Sequence, residues 1–539
     1  MNIDWRNRFG WNWISSVRDQ VGSVNCWAFA MTALYEAMVR IEHCVWCRRS
    51  EGDLARGAGK QSWDIGNPGE AAFFAENFGI ADPDCFPWSV PASLYVSKPH
   101  GSDMKPLPLS PTPDRIGRIV KLSERHVAIT DVTEKKNWID RKGPMATMPR
   151  GHAILVVGFN DDDPDPKKKY WIFKNSYGTG WGQNGFGQMA WDQLASAEFW
   201  GIHNTNPDPW TKRRLRNGVL VESGNGRWHN NFELFIKQGM TLEHWWRDHG
   251  TANFPWNKVG IVRSSDRWRD TFHDDALDCP AVIQSTFNRN YEVIYRSSSG
   301  RLRHVYYDQN AGWWFDATND QTFGPSNPVG IPGFIQSTRG APGDFEVVVL
   351  KLNGELEHWT KHNSAPWTQR PGTWYSREQF GAEIRFAGPA LVQSHAGIAS
   401  ELEADKGDLH YVCTGGDGFM HHFIRLTGGR WKPFLKFGSN ITSAPCMIEG
   451  QFDAKDELAP GNFELCVAAN GQIEHWWHRQ LPGQTWNRSA VFGADVRRVV
   501  GLLEGSFGFN LELIAERNDG RYQHYWRDSN GWHAGAIIV

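Results

Sequence analysis

The hydrophobic pattern of this chain changes character along its length. Up to about residue 200 helical and strand periods alternate, and beyond about residue 215 only strand patterns recur. Between Ala28 and Arg40, Phe29, Ala33 and Ala37 fall at helical spacing, continued by Ile41, with no Gly or Pro. This predicts a helix opened by Cys26. A second helix-like stretch runs from Ala71 to Phe78. In Gly151-His152-Ala153-Ile154-Leu155-Val156-Val157-Gly158-Phe159 a single His heads an apolar, β-branched run, which reads as a buried strand with His152 at its mouth. Tyr170 to Lys174 reads as the next strand, ending at Asn175. The charged and turn-forming residues from Asn160 to Lys169 join the two as a hairpin, which brings His152 and Asn175 to one end. Prolines at 87, 91, 99, 106, 108, 111 and 113 rule out regular structure between Phe86 and Gly117 and predict a long surface loop within the first domain.

The second region is built of internal repeats. A leading apolar element recurs at Val219–Ser223, Val282–Ser285, Phe334–Ser337, Leu391–Ser394, Met447–Gly450 and Leu502–Gly505. A second element follows, as in Asn231-Phe232-Glu233-Leu234 and Asn462-Phe463-Glu464-Leu465. A third carries His, as in Glu243-His244-Trp245-Trp246, Arg303-His304, Glu357-His358-Trp359, His421-His422, Glu474-His475-Trp476-Trp477 and Gln523-His524. Turn pairs such as Asn353-Gly354 and Asn470-Gly471 separate the second from the third, and a further Trp (Trp256, Trp314, Trp431, Trp486 or Trp532) marks a fourth strand. Six copies at roughly 50 to 60 residues predict a six-bladed β-propeller, since a lone blade cannot bury both faces. The expected domains are residues 1–205, a linker at 206–216 and the propeller at 217–539.

Charge and composition narrow the function classes. The formal net charge is −3 and no apolar run reaches the length of a membrane span, so neither nucleic acid nor a bilayer is implied. Eight cysteines in 539 residues are scattered and form no dense disulfide framework, which leaves the compartment open. Cys44 and Cys47, with Cys85, read as a local disulfide or free thiols rather than a zinc site, because one CxxC lacks a second pair. Asp161 to Lys169 lacks the spaced Gly and terminal Glu of a calcium loop and reads as a solvated hairpin tip. Neither a metal nor a cofactor is expected.

Cys26 then stands out. A thiol at a helix start is stabilised as thiolate by unpaired N–H groups and the positive dipole end. A sulfur nucleophile also needs a base and a group that orients it, which His152 and Asn175 can supply.

The order Gln20, Cys26-Trp27-Ala28-Phe29, Gly151-His152-Ala153, Lys174-Asn175-Ser176 resembles the papain family of cysteine peptidases, over roughly the first 200 residues. Asp4-Trp5-Arg6 resembles the start of a mature enzyme, Gly66-Asn67-Pro68 the segment lining the primary specificity pocket, and Gly143-Pro144-Met145 the strand before the His. Gly178-Thr179-Gly180-Trp181-Gly182 is similar to the segment after the Asn. The resemblance implies an α+β peptidase domain with Cys26 as nucleophile, His152 as general base and later acid, Asn175 as its orienting group, and Gln20 as an oxyanion-hole donor with the Cys26 N–H. It also implies substrate contacts at Gly66, Asn67 and Trp181, and a peptide or protein substrate cleaved through a thioester.

Departures from that pattern accompany it. Ser23-Val24-Asn25 replaces the usual Cys-Gly-Ser, so a half-cystine and a glycine are missing. Tyr177 stands where the family carries Trp. Only a few residues separate Gly143-Pro144 from His152, which predicts a trimmed cleft wall. Met1 is followed at once by the mature-like start, with no secretory apolar region and no helical prosegment visible. Control is therefore expected from location, substrate access or the second domain, unless the chain starts after processing.

The repeats resemble bacterial fucose-binding propeller lectins and, more loosely, tectonins, which implies possible glycan ligands of fucose type; no ligand residue is assigned. Two readings result. One is an active endopeptidase with a propeller for glycan or protein docking. The other is a catalytically inactive papain-like fold in a multivalent lectin or interaction scaffold.

Overall fold

A computed structural model describes the chain apart from residues 22, 89–109, 225–229, 266–269, 273–274, 318–321, 341, 364–372 and 396–406. Most of the expected proline-rich loop lies outside the described residues; at its far end Arg115–Gly117 form a 3-10 turn. The chain divides into two compact units, Met1–Asp208 with Lys455–Glu457, and Pro209–Ala454 with Leu458–Val539.

The first unit is α+β. Its helices are α1 (Cys26–His43), α2 (Glu51–Gly57), α3 (Pro68–Phe78) and α4 (Val132–Arg141). The strands are β1 (Asn2–Asp4), β2 (Ile80–Ala81), β3 (Ile119–Leu122), β4 (Val127–Ile129), β5 (Met145–Thr147), β6 (Ile154–Asn160), β7 (Tyr170–Lys174), β8 (Phe186–Ala190), β9 (Phe199–Gly201) and β10 (Thr205–Asn206). One sheet runs β4-β9-β5-β6-β7-β8 with β1 on β6, and a small one runs β10-β3-β2. Helix α1 is apolar on most of its surface and accordingly buried nearly all round, with Trp27, Ala28, Met31, Leu34 and Tyr35 fully enclosed. It stops at Cys44, whose φ of 56° is left-handed. Strands β6 and β7 pair antiparallel with Leu155 opposite Lys174 and Asn160 opposite Tyr170. β1 seals the other edge of β6 at Gly158, where a Cβ would lie 2.1 Å from Ile3 O.

The second unit is β-rich. Among the described residues it holds six small sheets, each built on an antiparallel meander of four strands in chain order. The first comprises Leu220–Glu222, Phe232–Gln238, Thr241–Arg247 and Trp256–Ile261. The second is built on Ala281–Gln284, Tyr291–Arg296, Leu302–Asp308 and Trp313–Asp316. The third runs from Val329–Gln336 to Trp374–Phe380, the fourth from Ile384–Gln393 to Trp431–Phe437, and the fifth from Cys446–Glu449 to Asn487–Phe492. The sixth runs from Val496–Glu504 to Gly531–Ile538 and gains an extra edge strand, Arg216–Gly218, which pairs with Gly501–Leu503. The recurring sequence elements fall on these strands, with Trp486 immediately before its own. Trp374, which the repeat pattern missed, also heads a fourth strand.

One interaction repeats through these sheets. A Glu on the second strand accepts a hydrogen bond from the third-strand His in Glu233–His244, Glu292–His304, Glu346–His358, Glu464–His475 and Glu512–His524, at 2.6–2.8 Å. The other nitrogen of the ring faces the next sheet. Trp431 Nε1–H donates to His358 Nδ1 (3.2 Å), Trp486 to His422 (3.2 Å) and Trp532 to His475 (3.4 Å). Trp374 lies edge-on to His304 at 5.7 Å, and Trp256 of the first sheet lies edge-on to His524 of the sixth at 5.9 Å. A second series joins leading strands: Gln336 pairs with Thr286, Gln393 with Thr338, Glu449 with His395, Glu504 with Gln451, and Glu222 with Ser506. Between these strands lies the run from Lys212 to Asn217. Lys212 Nζ meets Glu222 (2.8 Å), Arg214 Nε–H donates to Gln393 O (2.7 Å) and Arg216 to Gln284 O (2.6 Å). Asn217 Nδ2 donates to both Leu391 O and Met447 O.

The fourth sheet breaks the rule. His410 replaces the Glu and its Nδ1 lies 2.9 Å from His422 Nε2, while His478 of the fifth sheet packs edge-on to His422 at 6.2 Å. Phe434, Phe463 and Trp486 surround the trio. Burial holds all three imidazoles neutral, with His410 pushed down to about 3 and His422 and His478 also lowered. Unfolded, each would protonate near pH 6.5, so their contribution to stability is complete above that value and is lost as pH falls below it, at up to about 1.4 kcal/mol per pH unit for each ring. Acid unfolding monitored by Trp fluorescence should therefore begin below pH 6.5, and His410→Glu, which restores the common pair, should move the midpoint to lower pH.

Candidate active site

The proposed nucleophile sits in the first turn of α1. Asn25 precedes it with φ −89° and ψ 28° and makes no side-chain cap. Its side-chain amide instead donates to Gln61 O (3.0 Å) and Asp64 O (2.9 Å), fastening the loop that leads to Gly66. A Cβ on Gly66 would fall 2.6 Å from the Trp27 ring, so only glycine lets this loop lie against the residue after Cys26. Asn67 caps α3, its Oδ1 accepting from Glu70 N at 3.0 Å.

His152 comes from the sheet layer. Only Met148 and a single 3-10 turn, Pro149–Gly151, separate it from β5, with Arg150 at φ 51° and Gly151 at φ 81° turning the chain sharply. The β6–β7 register places Asn175 beside it, and His152 Nε2–H donates to Asn175 Oδ1 at 2.8 Å. The same oxygen accepts from Ser176 N (2.8 Å), which fixes the amide. Tyr177 stacks on the imidazole with ring centroids 4.8 Å apart and 23° between planes, and Trp181 packs edge-on to Tyr177 at 6.2 Å. Gln20 is buried: its Oε1 accepts from Ser176 Oγ–H and its Nε2–H donates to Ser23 O, both at 2.5 Å.

Cys26 and His152 lie close enough for each to favour the other's charged form. The thiol is 5% exposed and its Sγ also accepts from the Ala153 N–H at 3.3 Å. Burial pushes the Cys26 thiol up, but the hydrogen bonds from His152 and Ala153 outweigh it and leave it below the usual thiol value. For His152, burial alone would lower the imidazole, and the bonds to Cys26 and Asn175 raise it above its ordinary value. The two shifts agree in favouring thiolate and imidazolium. The structure thus brings Cys26, His152 and Asn175 together, with His152 bonded to Asn175 and Cys26 to the Ala153 N–H, and joins Gln20 to them through Ser176. Gly66 meets it through Trp27, Trp181 through Tyr177, and Asn67 serves its own helix.

Two contributors escaped the sequence reading. The Ala153 N–H is a backbone group, which no side-chain motif announces. The Tyr177 hydroxyl lies 3.3 Å from His152 Nδ1, whereas the sequence showed only a Tyr in place of the family's Trp.

The eight cysteines are all free thiols, including Cys44, Cys47 and Cys85. Among the described residues no group of three or more His, Cys, Asp or Glu is arranged to hold a metal, and no helix is long and apolar enough to cross a membrane.

The papain family cysteine protease model matches residues 1–204. Ananain of Ananas comosus is 28% identical over 214 residues, covering 37% of this chain and 59% of ananain. Procathepsin L of Felis catus is 25% identical over 205 residues, covering 36% of this chain and 61% of the relative. The chain thus spans about three fifths of the length of these relatives. The structure of a digestive procathepsin L 3 of Tenebrio molitor larval midgut aligns at 20% identity and a TM-score of 0.28, covering 38% of this chain and 69% of that one. Residues 1–204 carry a papain-family cysteine protease domain.

Proposed function

We propose that this protein is a cysteine endopeptidase. The observation that carries the reading is the Cys26–His152–Asn175 set, in which each partner's charged form is favoured by the other. The Cys26 thiolate attacks the peptide carbonyl carbon, forming a C–S bond. The carbonyl oxygen becomes an oxyanion facing the Cys26 N–H and the Gln20 amide, of whose two N–H groups Ser23 O takes one. His152 then gives its proton to the leaving amine as the C–N bond breaks. In the second half it takes a proton from water, which attacks the thioester and releases the acid. Gly66, Asn67 and Trp181 border the substrate.

A thiol-directed epoxide should label the protein, and labelling and peptide hydrolysis should both vanish in Cys26→Ala; a native protein that neither labels nor cleaves leaves the inactive scaffold. His152→Ala should lower kcat/KM by about 10²- to 10⁴-fold. The pH profile follows from the two shifts. Thiolate is lost as pH falls through the lowered Cys26 value, and imidazolium is lost as pH rises through the raised His152 value. Activity should therefore pass through a maximum between an acid and an alkaline limb, with thiolate forming below the roughly 8.5 of a free thiol, and His152→Ala should move the alkylation profile of Cys26 up toward that value.

For the second unit we propose a closed six-bladed propeller used for docking. Its support is that the Trp-to-His contacts and the leading-strand hydrogen bonds both run on from the sixth sheet to the first. We place its start at Pro209, because Lys212 to Asn217 are bonded within this unit. The seam Trp and His side chains are spent on packing, so sugar ligands of fucose type would have to meet other, exposed groups. A glycan array probed with the Cys26→Ala protein should return a sugar hit, and an array with none assigns the docking surface to a protein.

A further inference from the structure

Tyr177 does more than cover the His152–Asn175 bond. His152 Nε2 is spent on Asn175 Oδ1 at 2.8 Å, which leaves Nδ1 as the nitrogen that shares the thiol's proton. The Tyr177 hydroxyl lies 3.3 Å from that same Nδ1 while its ring stacks on the imidazole. The ring is held there from several sides. Tyr177 pairs with Asp19 as an isolated β-bridge, Gly178 N–H donates to Arg18 O at 3.1 Å, and Trp181 packs on its edge. A cover needs only carbon, whereas a phenol brings a donor and an acceptor.

The hydroxyl can serve both protonation states, but not equally. With a neutral imidazole its O–H donates to the bare Nδ1. With the charged pair, its oxygen accepts a share of the Nδ1–H while its own proton is free to turn toward the sulfur. Hydrogen bonds to ions are roughly twice as strong as neutral ones, so the net effect favours the charged pair. The other ionisable groups facing it are Cys26 from α1, His152 from the sheet and Asp19, whose carboxylate lies beside Gly178 and accepts from Val21 N–H.

We propose that Tyr177 is a positioning residue of the peptidase site, its hydroxyl hydrogen-bonded to His152 Nδ1 so that it holds the imidazole in plane and shares the proton that passes between sulfur and nitrogen. In that transfer the S–H bond of Cys26 breaks and the Nδ1–H bond forms; the phenol keeps its own proton. The assignment rests on the peptidase reading above. It is tested in the full chain with Tyr177→Phe, which keeps the ring and removes the oxygen, and Tyr177→Trp, which keeps a larger ring. Iodoacetamide alkylation of Cys26, followed by mass spectrometry across pH, gives the thiolate profile directly. Both variants should move its acid limb up by about half a pH unit or more, and lower kcat on a peptide substrate with KM nearly unchanged. A Tyr177→Phe profile that overlays a wild-type profile with its acid limb below the free-thiol range overturns the Tyr177 role alone. A wild-type Cys26 that alkylates only as an ordinary thiol overturns the peptidase reading and this one with it.

Discussion

The candidate site depends on the pairing register of two strands. With Leu155 opposite Lys174, His152, two residues ahead of β6, and Asn175, the residue behind β7, emerge together, and a slip by one would turn either side chain to the other face. His152 and Asn175 can share a hydrogen bond only in this register. At the site, the sheet meets the helical layer at the Cys26 sulfur. The Ala153 N–H and the His152 ring both address the Cys26 sulfur, so the backbone that carries the base also fixes its distance from the nucleophile.

Behind that contact lies a set of buried charges. Arg18 bridges Glu36 on α1 and Glu51 on α2, each at 2.5 Å, while Lys174 at the end of β7 donates to Ser15 O and Oγ. Ser15 in turn donates to Glu36 at 2.6 Å. The segment carrying Gln20 is thereby tied to both layers. Such pairs add little net stability, but losing one partner leaves a buried charge at a cost of about 3–5 kcal/mol. Their effect is to make one arrangement of this segment far better than its neighbours.

Much of this was legible in the sequence wherever chemistry and periodicity coincide. Cys26 opens a helix because the apolar spacing starts there, and the hairpin follows from two apolar runs around a charged tip. Legibility ends where a group's use depends on its surroundings. Asn67 stands in a segment resembling a pocket wall, yet its side chain serves as a helix cap. The repeats were visible as recurring strands, but the Glu–His pairing was not, since its members lie on adjacent strands and are joined only by register. His410 could then be recognised as an exception only once five Glu–His pairs had defined the rule.

The run from Lys212 to Asn217 carries a consequence for how the second unit comes to exist. Its side chains satisfy backbone carbonyls at Gln284, Leu391, Gln393 and Met447, and its continuation Arg216–Gly218 pairs with Gly501–Leu503. The first part of this unit to leave a ribosome thus completes its pairing, at Gly501–Leu503, only after nearly the whole of the remaining chain has been made. Contacts of such high sequence separation are slow to form and leave apolar strand edges waiting. Synthesis of this unit therefore ends in a late pairing step, and a chain truncated before its sixth repeat would leave Arg216–Gly218 without the strand it pairs with.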